Sequence, residues 1–336
     1  MADRANPGNG TLAPGTVLDG RFAIMEVCRE GGMATIFKAR DLLNNDAIVA
    51  LKVPHQQAES DPGLFSRFQR EEEIGCGLDH PSVLRFIRVK SKSRTYLATE
   101  FLKGTTLYHT LRERGPLPEA EAMAIAARIC EALEYLHGCG VIHRDLKPEN
   151  VMLCDDGSVR LMDFGIAWGP HTRRLTFIGF APGTPHYMAP ERVKGKRGDR
   201  RVDIYSMGAI LYEMLTGKIA FDGEDISVIM ESRVTGDPEA PRKVNPRISR
   251  QAEEIVLQAM ERDPAKRHPT AAAMKAELKA PQGVELTGRC DRLEVSTVWK
   301  RRWRKARWVA LWVTVPVILQ VIVFFLLWHH LSKHGH

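Results

Sequence analysis

Six cysteines are few for 336 residues, and Cys28, Cys76, Cys130, Cys139, Cys154 and Cys290 form no CxxC pair. A disulfide scaffold is excluded, and reduced thiols packing as small hydrophobes are expected. The N-terminus has no apolar run. MADRANPGNGTLAPG is rich in Gly, Pro and Asn, which excludes a signal peptide and makes residues 1–18 a flexible leader. No internal repeat is visible. A positive field spread over the chain is missing too: the net charge is +7, but KRRWRKAR at 300–307 supplies six of those charges and leaves +1 for everything else. Nucleic acid is therefore not an expected partner. What is present is ample core material. At 44% hydrophobic and 26% charged residues the chain is neither disordered throughout nor collagenous, and its length points to a two-lobed or multi-domain body.

The local basicity has a neighbour that explains it. From Trp308 to Trp328 the chain reads WVALWVTVPVILQVIVFFLLW, 21 residues without a charge. As a helix this run spans about 31 Å, close to the roughly 30 Å of a bilayer's hydrocarbon core. Trp308, Trp312 and Trp328 lie near its ends, and the cations precede it directly. By the positive-inside rule the N-terminal 300 residues are cytoplasmic and the chain is a single-pass membrane protein. Only HHLSKHGH, 329–336, lies beyond. That tail is too short to fold, so input comes from the cytoplasm, from lipid or from a partner within the bilayer.

Between about 19 and 120 the pattern is short β-rich runs: RFAIMEVC, ATIFKAR, AIVALKV, VLRFIRVK and TYLATEFL, with LFSRFQREEEIGCGL helical between the third and fourth. This predicts an antiparallel sheet with one helix against it. From Glu119 the spacing turns helical, in EAEAMAIAARICEALEYLH, DIYSMGAILYEMLTG, ISRQAEEIVLQAMER and TAAAMKAEL. The expected organisation is a small lobe over 19–103, a mainly helical lobe over 104–279, a basic linker over 280–307 and the membrane helix.

Four short strings carry chemistry: VALK at 49–52, HRDLKPEN at 143–150, DFG at 163–165 and APE at 189–191. Moving a γ-phosphoryl group needs cations to hold a triphosphate, oxygen ligands to hold a divalent metal, and a group that orients the acceptor hydroxyl. In this order and spacing the strings resemble the protein kinase family, and specifically the bacterial serine/threonine kinases, over about residues 19–279. The resemblance implies an α+β, two-lobed kinase fold that uses ATP with Mg²⁺, or Mn²⁺ as an alternative. Asp145 would orient the acceptor hydroxyl, and Lys147 would neutralise charge on the travelling group. Asn150 and Asp163 would hold the metal through hard oxygens. Lys52 would contact the α and β phosphates and pair with a helix carboxylate. Of Glu71, Glu72 and Glu73, which point about 100° apart, Glu71 is chosen because RFQRE resembles the family's RFxRE, and the other two are read as solvated.

By the same resemblance Thr99 is the gatekeeper, the backbone of Glu100 and Leu102 faces adenine, and Ile36, Ala50 and Met152 sandwich the ring. The phosphate loop, VCREGGMATIFKA, offers Cys28, Glu30, Gly31, Gly32 and Ala34, but Arg29 stands where the family places its first glycine. An arginine there would stiffen the loop, obstruct it or add a cation, and it motivates the rival reading of a nucleotide-binding pseudokinase scaffold. Between DFG and APE, Thr184 resembles an architectural threonine. Thr172 and Thr176 are candidates for autophosphorylation, with Arg144 as the cation a phosphate would engage. Asp203 and Arg267 resemble framework positions, Arg267 pairing with Glu191. KGKRGDRR at 194–201 is read as a solvated loop in preference to a surface for acidic substrate or anionic lipid. The expected partners are protein substrates at Ser or Thr, the membrane, and a second copy of the chain as a homodimer favoured by confinement to two dimensions.

Overall fold

The computed structural model describes residues 12–32, 34–55, 62–163, 184–223 and 225–293. Thr172, Thr176, the last two residues of DFG and the apolar run 308–328 lie outside them. Among the described residues no helix is long and apolar enough to cross a membrane.

The small lobe is a five-stranded antiparallel sheet in the order β1 (Val17–Leu18), β2 (Phe22–Glu30), β3 (Ala34–Asp41), β4 (Ala47–Pro54) and β5 (Leu97–Glu100). Alternation along β4 sends Val49, Leu51 and Val53 into a core with Phe22, Ile24, Phe37 and Tyr96. Period two therefore turns Ala50 and Lys52 to the opposite face. Helix α1 (Pro62–Gly75) follows, and its Phe68 and Ile74 pack towards the larger core.

The run VLRFIRVK is not the strand expected of it. It makes isolated bridges only, Val83 with Leu161 and Phe86 with Thr99. Its polar groups serve two lobes in succession: the Leu84 N–H donates to the Leu161 carbonyl across the cleft, whereas the Ile87 N–H donates to Ala98 in β5. A continuous ladder cannot form when the two halves have different partners.

The large lobe contains α2 (Leu107–Arg114), α3 (Glu119–Gly138), α4 (Arg201–Thr216), α5 (Ile226–Thr235), α6 (Arg250–Ala259) and α7 (Ala271–Lys279). Helix α4 is the axis, buried along almost its whole length between α3 and α6. Gly208 permits this approach, because a Cβ there would lie 2.7 Å from the Cβ of Ala259 and 2.9 Å from Cγ of Met260. A second sheet, absent from the sequence reading, pairs β6 (Gly104–Thr106), β7 (Val151–Cys154) and β8 (Val159–Leu161). It enters against Gly104, whose φ of +152° and 2.2 Å virtual contact with the Leu153 carbonyl admit no side chain.

The linker expected from residue 280 does not start there. Val284 packs against the large core, and Arg289 ion-pairs with Glu254 and Glu261, so folded structure continues to residue 293.

Candidate active site

Lys52 stands on the cleft face of β4 and meets two carboxylates. Its Nζ is 3.2 Å from Oε1 of Glu71 in α1 and 2.7 Å from Oδ1 of Asp163, which follows β8. Burial works against the ammonium, but Asp163 and Glu71 outweigh it and raise the Lys52 pKa. In return Lys52 draws the Asp163 carboxyl below its ordinary value. Glu71 moves the other way: burial raises it, Asp163 adds to the rise, and Lys52 counteracts only part. The carboxylate that is ionised most firmly is the one expected to hold a metal.

Opposite lies the loop 143–150. Lys147 Nζ is 2.7 Å from Oδ2 of Asp145, and the Asn150 amide nitrogen donates to the Asp145 carbonyl at 2.8 Å and to its carboxylate at 3.3 Å. With that nitrogen committed to Asp145, the Asn150 amide oxygen is the atom left for a cation. Among the described residues no cluster of three acidic, His or Cys side chains could bind a metal alone. Asp163 and Asn150 nevertheless offer hard oxygens of the kind that would hold a magnesium ion together with a bound phosphate.

The loop is braced from below. Asp203, fully buried in α4, accepts from the backbone N–H of His143 at 2.9 Å, from that of Arg144 at 2.8 Å and from His137 Nε2 at 2.8 Å. Burial alone would raise its pKa; the donors, His137 first, hold it below the ordinary value. These bonds sustain a left-handed backbone at Arg144 (φ 64°), and Asp163 has another (φ 48°). Two non-glycine residues in that region, flanking one cleft, mark a constrained site. Burial holds His143 neutral, its pKa lowered. The expected Arg267–Glu191 pair is present, bidentate at 2.8 and 2.7 Å and buried.

At the back of the cleft, Ile36, Ala50 and Met152 are half-buried, the degree of exposure an apolar lining needs. Thr99 pairs with Ala50 and is buried. The expectation for Glu100 narrows: its backbone N–H donates to the Arg85 carbonyl at 3.0 Å, so only its carbonyl is left to meet a base. Leu102 is half-buried and packs on the large core. Cys28, Arg29 and Glu30 end β2 as exposed residues, with Arg29 paired to Ile36 in the ladder after a bulge. Gly31 and Gly32 form the exposed tip, where the Gly31 N–H returns to the Ala34 carbonyl at 2.9 Å. Arg29 thus takes a strand conformation and does not need a glycine's freedom.

Two features escaped the sequence reading. Glu72, read as solvated, is half-buried and receives both its bonds from Lys92 Nζ, each 2.6 Å, while the same ammonium donates to the Tyr96 carbonyl. A carboxylate beside Glu71 is thereby tied to the strand side of the lobe, which fixes the rotation of α1. Arg144 also has company. Its side chain is pushed to a lower pKa by burial and by Arg197 and Arg70, Arg192 donates to its carbonyl, and its buried Nε has no hydrogen-bond partner among the described residues. Like charges gathered beside Asp145 repel one another, a repulsion that an added anion would relieve. RFQRE contains Arg70, but nothing in its spacing points to Arg144.

A cleft between a β lobe and a helical lobe, with Lys–Glu and Lys–Asp pairs from one side and an Asp–Lys–Asn loop from the other, defines a protein kinase catalytic domain. The family model described as protein kinase domain matches residues 22–278, and the chain belongs to that family. Among its relatives are bacterial serine/threonine-protein kinases. It is 37% identical to serine/threonine-protein kinase pkn3 of Myxococcus xanthus over 77% of this chain and 50% of that protein. It is 35% identical to PknB of Mycobacterium leprae, over 78% and 43%, and 32% identical to PrkC of Bacillus subtilis, over 79% and 41%. The chain spans half or less of the length of these relatives.

Proposed function

We propose that this chain transfers the γ-phosphoryl group of ATP to Ser or Thr of cytoplasmic proteins, anchored in the membrane by residues 308–328. The observation that carries the reading is the convergence of the Lys52–Glu71–Asp163 and Asp145–Lys147–Asn150 clusters on one cleft. Asp145 accepts the acceptor's hydroxyl proton and aims its oxygen. Lys147, held 2.7 Å from Asp145, places a cation beside the oxygens in transit. Lys52, steadied by Glu71, holds the α and β phosphates, while the lining of Ile36, Ala50 and Met152 takes the base. Mg²⁺ at Asp163 and Asn150, when bound, neutralises phosphate charge.

Autophosphorylation at Thr172 or Thr176 would place a dianion within reach of Arg144 and its neighbouring arginines, and so order the loop that presents substrate. The test is full-length chain with labelled ATP and Mg²⁺, beside Lys52→Met and Asp145→Asn, with the labelled residues mapped. Label on Thr172 or Thr176 that both variants lose supports the reading. Tight ATP binding without label overturns it.

A further inference from the structure

A group of exposed cations surrounds the place where the described chain ends. Arg267 knots three segments here: besides Glu191, its guanidinium donates to the carbonyls of Arg201, Glu261 and Arg262. The loop 194–201 is pinned to the same corner, since Arg200 donates to the Pro269 carbonyl, Arg201 to that of Pro264, and the Lys196 N–H to that of Glu191. Leu293 closes the corner in a cavity of about 180 Å³ lined also by Lys266, Arg289 and Arg292.

The charges on this corner divide into two kinds. Arg201, Arg262 and Arg289 are matched by Asp199, Asp237 and Glu261. Lys194, Lys196, Arg200, Lys266 and Arg292 are exposed and have no acidic partner among the described residues. Asp263 and Asp291 are the exposed carboxylates that partly offset them. Exposed cations gathered without acidic partners create a local positive potential, which an anionic surface outside the domain can meet.

The sequence limits where that surface is. Seven residue steps separate Leu293 from Lys300, the first residue of KRRWRKAR. Fully extended they reach about 25 Å at most. If 300–307 rests at the headgroups, as the anchored reading requires, this corner is the part of the kinase domain held nearest the bilayer, and its cations face a surface whose field decays over about 8–10 Å.

We propose that the face formed by Lys194, Lys196, Arg200, Lys266 and Arg292 docks on anionic lipid and orients the kinase domain on the membrane. The inference rests on the anchored reading. It is tested with full-length chain in nanodiscs of phosphatidylcholine alone or with about one-third phosphatidylglycerol. The readout is the acylation rate of Lys194, Lys196 and Lys266, measured against the exposed Lys90 and Lys103 of the small lobe and hinge. Anionic discs are expected to slow the three lysines at least about three-fold, and Arg200→Glu with Arg292→Glu to remove the effect while sparing the reporters. Equal rates in both lipids overturn the proposal. Slowing by a polyglutamate peptide without slowing by anionic lipid also overturns it, assigning the face to acidic substrates. A chain that leaves the discs at high salt refutes the anchor instead, and the lysine rates at low salt still decide the docking.

Discussion

Lys52 is the cation on which two carboxylates depend, so its loss is felt twice. Lys52→Met leaves Glu71 and Asp163 without their shared counter-charge, and phosphoryl transfer is expected to fall at least about a thousand-fold, measured with saturating peptide and ATP. Asp203 tests the brace instead of the chemistry. Asp203→Asn removes the charge that receives two backbone N–H groups and His137, which should cost about 2–3 kcal/mol at neutral pH in urea unfolding. The sign with pH is fixed by the downward shift of its pKa from 3.8. The stabilisation is complete above that ordinary value and disappears as pH falls through the lower folded one, so the unfolding curves of wild type and variant converge only in acid. Lys92→Met probes a residue bonded to Glu72 and the Tyr96 carbonyl and outside the set expected to hold nucleotide. It frees Glu72 and the rotation of α1, and is expected to raise the KM for ATP several-fold with a smaller change in kcat; equal loss in both would refute the positioning role.

At the scale of elements, legibility followed the range of the interaction. HRDLKPEN and VALK could be read because their residues lie a few positions apart on one loop or strand, and α3 because its apolar period repeats over five turns. Lys92 and Glu72 are 20 residues apart and meet only through the return of the chain to β5. The strands β6, β7 and β8, of three or four residues, are shorter than any periodicity can reveal. Residues 280–293 have no period and hold to α6 through Arg289 on Glu254, a contact that patterning cannot show. Packing gives a direct check on the axis helix. Gly208→Val forces side-chain atoms into Ala259 and Met260, and thermal unfolding should reveal a loss of about 2–3 kcal/mol.

For the whole molecule, the two lobes are separate in outline but not in their apolar interior. Leu97 of β5, with Phe86, Leu84 and Val83 of the run before it, belongs to the same buried cluster as α3 and α4, whereas only the outer face of the sheet has a core of its own. The Val83–Leu161 bridge sits where they meet. The cleft is therefore a surface between two parts of one interior. The lobes should melt together: calorimetry of the wild type should give a single transition whose measured and van't Hoff enthalpies agree, and a fragment of 12–103 should not fold unaided. Independence of that fragment would mean that the seam is only an interface between two domains. Otherwise nothing that loosens the base of the large lobe can spare the nucleotide cleft, and this domain has no half-unfolded state in which its small lobe survives alone.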